Sequence, residues 1–343
     1  MAKTMKAAVV RTLGRPLEIQ EVPIPTPARG EVLVKLAVTG VCHTDLHAAE
    51  GDWPAKPTAP FIPGHEGVGH VVALGEGVNG IKEGDLVGIA WLHDACGACE
   101  PCMTGWETLC EAQHNSGYSV NGTFAEYAIG SAPFVARLPA NTNAAEMAPI
   151  LCAGVTTYKG IKETEARPGQ WIVVSGVGGL GHLAIQYGKA MGLHVIGLDV
   201  SEEKLALACQ IGADAAFNAK APDVVAQVTQ HTGGGAHGVL VTAVSPAAFS
   251  QALQLVRRKG TVSLVGLPPG EFPTPIFDVV LKRITIRGSI VGTRQDLAEA
   301  VAFATEGKVR SHIHHAKLSA INDVFASLKR GTVDGRIVLD LSS

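Results

Sequence analysis

A glycine-rich hexapeptide, Gly176-Val177-Gly178-Gly179-Leu180-Gly181, lies between the apolar run WIVVS at 171–175 and a segment able to form a helix at 180–191. It restricts the fold more than any other feature, because GxGxxG between a strand and a helix is a βαβ junction that receives a dinucleotide. Gly176 permits the tight turn, Gly178 lets backbone approach a pyrophosphate, and Gly181 allows the helix to pack closely on the strand. The N-terminus of the helix attracts the anion. A second strand, HVIGLDV, leads through Asp199, which is placed to accept hydrogen bonds from an adenosine ribose and to repel a 2′-phosphate. NAD is therefore expected rather than NADP. On their own these would be ordinary turn glycines in a chain that has 40 of them; their setting between strand and helix gives them meaning.

The same rhythm continues downstream. Strand candidates GVLVTAV, GTVSLVGL and ITIRGSIVG alternate with helix-compatible segments at 201–211, 246–258 and 295–306, the pattern of a parallel, doubly wound sheet of the α/β class. Upstream, KAAVV, EIQEV, EVLVKLAVTG, GVGHVVALG and DLVGIAW are short strand-like pieces separated by Gly and Pro, as in a barrel-like β domain. The strand-like GRIVLDLSS beyond residue 310 is expected to return to that first domain. A length of 343 residues accommodates two domains, and no internal repeat is visible.

Charged residues make up 17%, against roughly 25% in average soluble proteins, which points to surface buried between subunits. The net charge of −3 provides no broad basic field for nucleic acid or an anionic membrane. No apolar run approaches the roughly 18 residues of a membrane span, and MAKTMKAAVVRT lacks a signal-peptide core. A cytoplasmic location is expected. In that reducing setting the seven cysteines serve as metal ligands or free thiols, not disulfides.

Cys96, Cys99, Cys102 and Cys110 form CxxCxxC followed by a fourth cysteine, a spacing that lets one loop close four thiolates around a tetrahedral zinc. Such a site has no open position and stabilises a loop with little core of its own. A nucleic-acid role for it is implausible, because no Lys or Arg occurs between Lys82 and Arg137 to meet phosphate. Of the other cysteines, Cys42 lies in GVCHTDLH, His65 and Glu66 in GHEGVG, and Cys152 in LCAGVTTY, while Cys209 reads as a small helix-face residue.

Taken in this order with the four-cysteine loop and the GVGGLG turn, these segments make the chain similar, over nearly its whole length, to the zinc-dependent alcohol dehydrogenases of the medium-chain superfamily. The resemblance implies a GroES-like catalytic domain at 1–152, completed by 293–343, and a Rossmann NAD-binding domain at 153–292. It implies a catalytic zinc held by Cys42, His65 and Cys152 with the fourth place open, Glu66 as a carboxylate able to reach the ion, and Asp45 as the partner of His65. It also implies a proton relay from Thr44 through the cofactor ribose to His47. Further cofactor contacts carried over are His43, Thr156, Gly178, Gly179, Leu180, Asp199, Lys204, Val265, Leu267, Ser289, Val291 and Arg336. His43 stands where relatives place Arg or His against the pyrophosphate.

Trp53 and Trp91 match bulky residues lining the substrate channel of the microbial, usually tetrameric branch. Two indoles leave room for short chains, so small primary alcohols and their aldehydes are the implied substrates and a homotetramer the implied assembly. A tryptophan pair could equally be core or interface, and Val265, Leu267, Ser289 and Val291 could be plain core. A polyol or longer-chain dehydrogenase and a non-catalytic NAD-binding protein stay open as other readings; a zinc-free quinone reductase would need neither Cys42 nor the four-cysteine loop. One departure from the pattern is His93-Asp94, just before that loop, where Asp94 could perturb it. The HIHH run at 312–315 reads as solvent-facing.

Overall fold

The computed structural model describes residues 3–341. The chain forms two compact units: one holds the chain up to Cys152 with Thr293–Thr305 and the stretch from Ser311 onward, the other Ala153–Gly292 with Glu306–Arg310.

The first unit is built on a seven-stranded sheet. Its central strand Glu31–Val41 pairs antiparallel with Gly67–Leu74, Tyr127–Ser131 and Arg336–Asp340. One strand serves three neighbours because it is long, apolar and bent by register shifts at Leu33/Val34 and Leu36/Val38, irregularities that re-aim a strand within a curved sheet. The segment GRIVLDL therefore contributes the strand Arg336–Asp340 beside residues 38–41. On its far side Ile313–Lys317 runs parallel, with His314 and His315 exposed. The core of this unit gathers Val32, Val34, Leu36, Val71, Val87, Phe124, Phe325 and Leu339.

The second unit is a six-stranded parallel sheet in the order Ala215–Asn218, His194–Asp199, Trp171–Ser175, Ala236–Val241, Val256–Leu264, Thr285–Gly288. In chain order this is 3-2-1-4-5-6, the doubly wound arrangement whose order reverses beside the first strand, where ligands bind at the carboxyl ends of the strands. The three central strands, His194–Asp199, Trp171–Ser175 and Ala236–Val241, are near-continuous buried runs, as strands covered on both faces must be. The helix expected over 246–258 stops at Leu255, and Val256, Arg257 and Arg258 open the next strand. Pairing of Val256 with Ala236 on the neighbouring strand overrides the helical pattern there. The strand Ala215–Asn218 and the helix Val224–Thr232 lie in a stretch with no sequence assignment, because the strand is short and only half-buried.

Candidate functional site

The strand Glu31–Val41 delivers Cys42 to the start of the helix His43–Glu50. There Cys42 and Asp45 form a reciprocal cap: the Cys42 side chain accepts from the Asp45 backbone, and Cys42 N–H donates to Asp45 Oδ2 at 2.9 Å. The other oxygen of Asp45 accepts from Gly64 N at 3.1 Å and lies 2.8 Å from His65 Nδ1. One buried carboxylate thus caps the start of a helix, pins the segment before His65 and orients the imidazole so that Nε2 faces Cys42 and Cys152. His65 Nε2 lies 3.2 Å from Cys152 Sγ, and Cys152 Sγ lies 3.9 Å from Cys42 Sγ.

The donor atoms of Cys42, His65, Glu66 and Cys152 all fall within 4.8 Å of one another, every residue buried. Two thiolates on a tetrahedral zinc, each at about 2.3 Å, stand about 3.8 Å apart, so the 3.9 Å separation fits the ion. Electrostatics point the same way. The Cys42 thiol is held well below its ordinary range by the hydrogen bond from Cys152, against the opposing effect of burial. The Cys152 thiol is pushed well above it by that neighbour and by burial. A second negative charge in this space is stable only beside a cation.

Glu66 adds a carboxyl whose Oε1 accepts from Arg336 and whose Oε2 is buried without a partner. Burial pushes its pKa up to about 7, with the guanidinium opposing the rise. Burial works against charge on Arg336 too, yet Glu66, Cys42 and Cys152 keep it protonated. Arg336, which the resemblance carries over as a pyrophosphate contact, has its guanidinium bonded to Glu66, with Nε left unpartnered. Gly40 makes room for the carboxyl, since a Cβ there would lie 1.9 Å from Glu66 Oε2.

Thr44 and His47 lie on the helix that Cys42 caps, both half-buried, with His43 exposed beside them. His47 Nδ1 stands 3.0 Å from each oxygen of Asp52. Trp53 stacks on His47 with centroids 5.3 Å apart, and Trp91 meets His65 edge-on at 5.2 Å. Between the two indoles lies Tyr118, a residue that carries no motif and that sequence reasoning passed over.

The second cysteine group also converges: Cys96, Cys99, Cys102 and Cys110 place their sulfurs within 4.8 Å of one another, with Cys96 and Cys102 3.9 Å apart. Backbone N–H groups of Ala98 and Cys99 point at Cys96 Sγ and bring its pKa down to about 6. All four places are filled by thiols, so an ion here has no site for substrate. The loop is fixed by Glu107, which accepts from the backbone and guanidinium of Arg294 at 2.8–3.1 Å. Asp94 turns to His114 at 2.7 Å and not to the cysteines, and His93 is buried, its Nδ1 without a partner. All seven cysteines are free thiols, Cys209 exposed on the helix Glu202–Gln210.

In the second unit each glycine of the turn has its own physical reason. Gly176 adopts φ 99°, a conformation that favours glycine. A Cβ on Gly181 would lie 1.8 Å from the carbonyl of Gly176. A Cβ on Gly178 would meet nothing within 4 Å; that open face beside the helix start is the cradle a pyrophosphate would fill. Asp199 ties the turn down, accepting from Val177 N at 2.8 Å through Oδ2 and from Val200 and Ser201 N through Oδ1, with lone pairs left for a ribose. Thr156 and Ser289 hold buried hydroxyls without partners. Lys204 lies on the helix after Asp199, Val265 is buried and Leu267 exposed, and Val291 is held at φ 40°, rare for a β-branched residue.

Comparison with known proteins follows this division. The family described as alcohol dehydrogenase GroES-like domain matches residues 28–140, and that described as zinc-binding dehydrogenase matches residues 179–306. An alcohol dehydrogenase of Rhizobium meliloti (strain 1021) is 61% identical over 339 residues, covering 99% of both chains. One from Geobacillus stearothermophilus is 55% identical, covering 98% of this chain and 99% of its own. Among solved structures, the alcohol dehydrogenase of the archaeon Aeropyrum pernix superposes with a TM-score of 0.90 at 38% identity, covering 98% and 99% of the two chains. Acetophenone reductase from Geotrichum candidum, solved with NAD, superposes at 0.87 with 31% identity, over 99% of this chain and 98% of its own.

Proposed function

The chain belongs to the zinc-dependent medium-chain alcohol dehydrogenases, and from that premise we propose that it interconverts small primary alcohols and aldehydes with NAD in the cytoplasm. The observation that carries the reading is the convergence of Cys42, His65 and Cys152, the outer two 110 residues apart in the chain, on one ion-sized space. Bound zinc would supply a Lewis acid that makes an alcohol oxygen acidic near neutral pH, and NAD the acceptor of its hydride.

The chain's own residues do the rest. Cys42, His65 and Cys152 would hold the ion, Asp45 keeps the imidazole of His65 aimed, and Arg336 holds the Glu66 carboxyl beside them. Thr44 accepts the hydroxyl proton of the substrate as it gives up its own, which a bound NAD ribose would carry on to His47. His47, its side chain 31% exposed, hands a proton on to water. Trp53 and Trp91 narrow the approach to His65, which favours short chains. The turn at Gly176–Gly181 with Asp199 and Lys204 receives NAD.

A homotetramer accords with the second unit. The helix Ile276–Lys282 presents Ile276, Phe277, Val280 and Leu281, each at least 66% exposed, immediately before the edge strand Thr285–Gly288. An apolar helix beside an unpaired sheet edge is a surface that a second copy covers.

The direct test is metal analysis together with ethanol-dependent NADH formation. The wild type should hold two zinc ions per chain, and Cys152→Ser should keep one and lose activity by at least about a thousandfold. A Cys152→Ser variant as active as the wild type would refute the assignment. Two zinc ions with no turnover of any alcohol would favour a non-catalytic NAD-binding protein.

A further inference from the structure

Glu107 stands in a short turn, Glu107–Leu109, that leads directly into Cys110, the last cysteine of the four-cysteine loop. Its side chain is 7% exposed and grips Arg294, 187 positions away: Oε1 accepts from Arg294 N at 2.8 Å and Nε at 2.9 Å, and Oε2 from Nη2 at 3.1 Å. A carboxylate that met the guanidinium alone would settle a charge. One that also takes the backbone N–H fixes where the chain runs. The guanidinium is steadied from another side by Phe134, whose ring centroid lies 4.4 Å from its carbon.

Arg294 opens the helix Arg294–Thr305, just after the chain passes from the second unit into the first between Gly292 and Thr293. Thr293 and Asp296, both buried, cap that helix reciprocally: Thr293 N and Oγ1 donate to Asp296 Oδ2 at 3.0 and 2.8 Å, and Asp296 N donates to Thr293 Oγ1 at 3.3 Å. The stretch before it, residues 289–293, forms neither helix nor strand. Its other end is tied to the parallel sheet, where Ser289 N donates to the carbonyl of Leu264 at 2.9 Å. Within this span Val291 holds φ 40°, a conformation that a β-branched residue keeps only where its surroundings over-determine it. The anchors at Ser289 and Arg294 do so. Ser289 also carries a buried hydroxyl with no partner, a polar group left for something the chain does not supply.

We propose, resting on the reading of Ser289 and Val291 as nicotinamide contacts, that Glu107 is a positioning residue for the cofactor. By fixing Arg294 it keeps residues 289–291 in the strained form that receives the nicotinamide end of NAD. The four-cysteine loop, which has no place for substrate, thereby takes part in holding the reactive half of the cofactor.

The experiment compares wild type, Glu107→Gln and Arg294→Lys, with zinc content determined for each. It measures hydrogen exchange of the peptide covering residues 289–294, and the Kd of NADH and of ADP-ribose, which lacks the nicotinamide. In the wild type NADH should slow exchange of this peptide and ADP-ribose should not; protection by both or by neither removes the nicotinamide reading of Ser289 and Val291. Glu107→Gln should speed exchange of the Thr293 and Arg294 amides about tenfold without ligand. It should raise the Kd of NADH about tenfold and leave that of ADP-ribose within about twofold. With the wild-type result as expected, an unchanged Kd for NADH overturns the proposal, and so does an equal weakening of both ligands, which would mark Glu107 as merely structural. Should Glu107→Gln shed zinc or not fold, Arg294→Lys decides alone, because it keeps the carboxylate and the backbone bond and loses the guanidinium fork. A weakening of about threefold confined to NADH then supports the proposal, and any other result ends it.

Discussion

Gly40 shows how narrowly the Glu66 carboxyl is accommodated. A methyl group there would overlap Glu66 Oε2 at 1.9 Å, and neither partner can yield freely, because Glu66 is buried and already bonded to Arg336. Gly40→Ala should therefore cost about 1–3 kcal/mol of stability and lower activity by displacing Glu66 from the ion. Thermal melts and ethanol kinetics on the zinc-loaded protein check both effects; a variant with wild-type melting would mean that the carboxyl has room to move. At this scale the sequence was informative where chemistry demands a residue type at a fixed spacing, as with the cysteines and the glycine turn. It was silent where a role depends on contact across the chain. Arg336 and Glu66 are 270 residues apart, and nothing in either neighbourhood announces the pair. Tyr118 left no trace either, since an aromatic residue in a turn follows no periodicity.

Among the elements, the four-cysteine loop depends on more than its thiols. Burial would raise the pKa of Glu107, but hydrogen bonds from the Arg294 side chain and backbone, with the charge of the guanidinium, lower it. A carboxyl whose folded value is depressed adds stability above its unfolded value, about 4.3, and loses it as pH falls through the folded one. Glu107→Gln should then cost about 1–3 kcal/mol near pH 7, with the difference from wild type shrinking below about pH 4. Denaturant melts at several pH values would measure it, and a pH-independent difference would assign the effect to packing alone. Strands and helices with strong apolar rhythm were legible, the βαβ unit above all. The turn from helix to strand at Leu255 was not, because only pairing with the strand Ala236–Val241 decides it.

For the molecule as a whole, the low share of charged residues foreshadowed the apolar face at Ile276–Leu281. Replacing Phe277, 81% exposed, by Glu should cost the isolated chain little and weaken the proposed tetramer, lowering the mass seen by light scattering. A variant of unaltered mass would put the subunit contact elsewhere. The two-domain order was readable because each half has its own periodicity.

The strand Arg336–Asp340 closing the sheet beside Val38–Val41 has a consequence for how the protein is born. Ribosomes release chain from the amino end, so the cysteines and His65 emerge long before the arginine that neutralises Glu66. The second unit, contiguous but for five residues, can mature during synthesis. The metal-binding half must wait, its sheet incomplete and a buried carboxyl uncompensated, until translation is nearly finished; a chain cut short upstream of residue 336 would be expected to leave zinc chemistry unassembled.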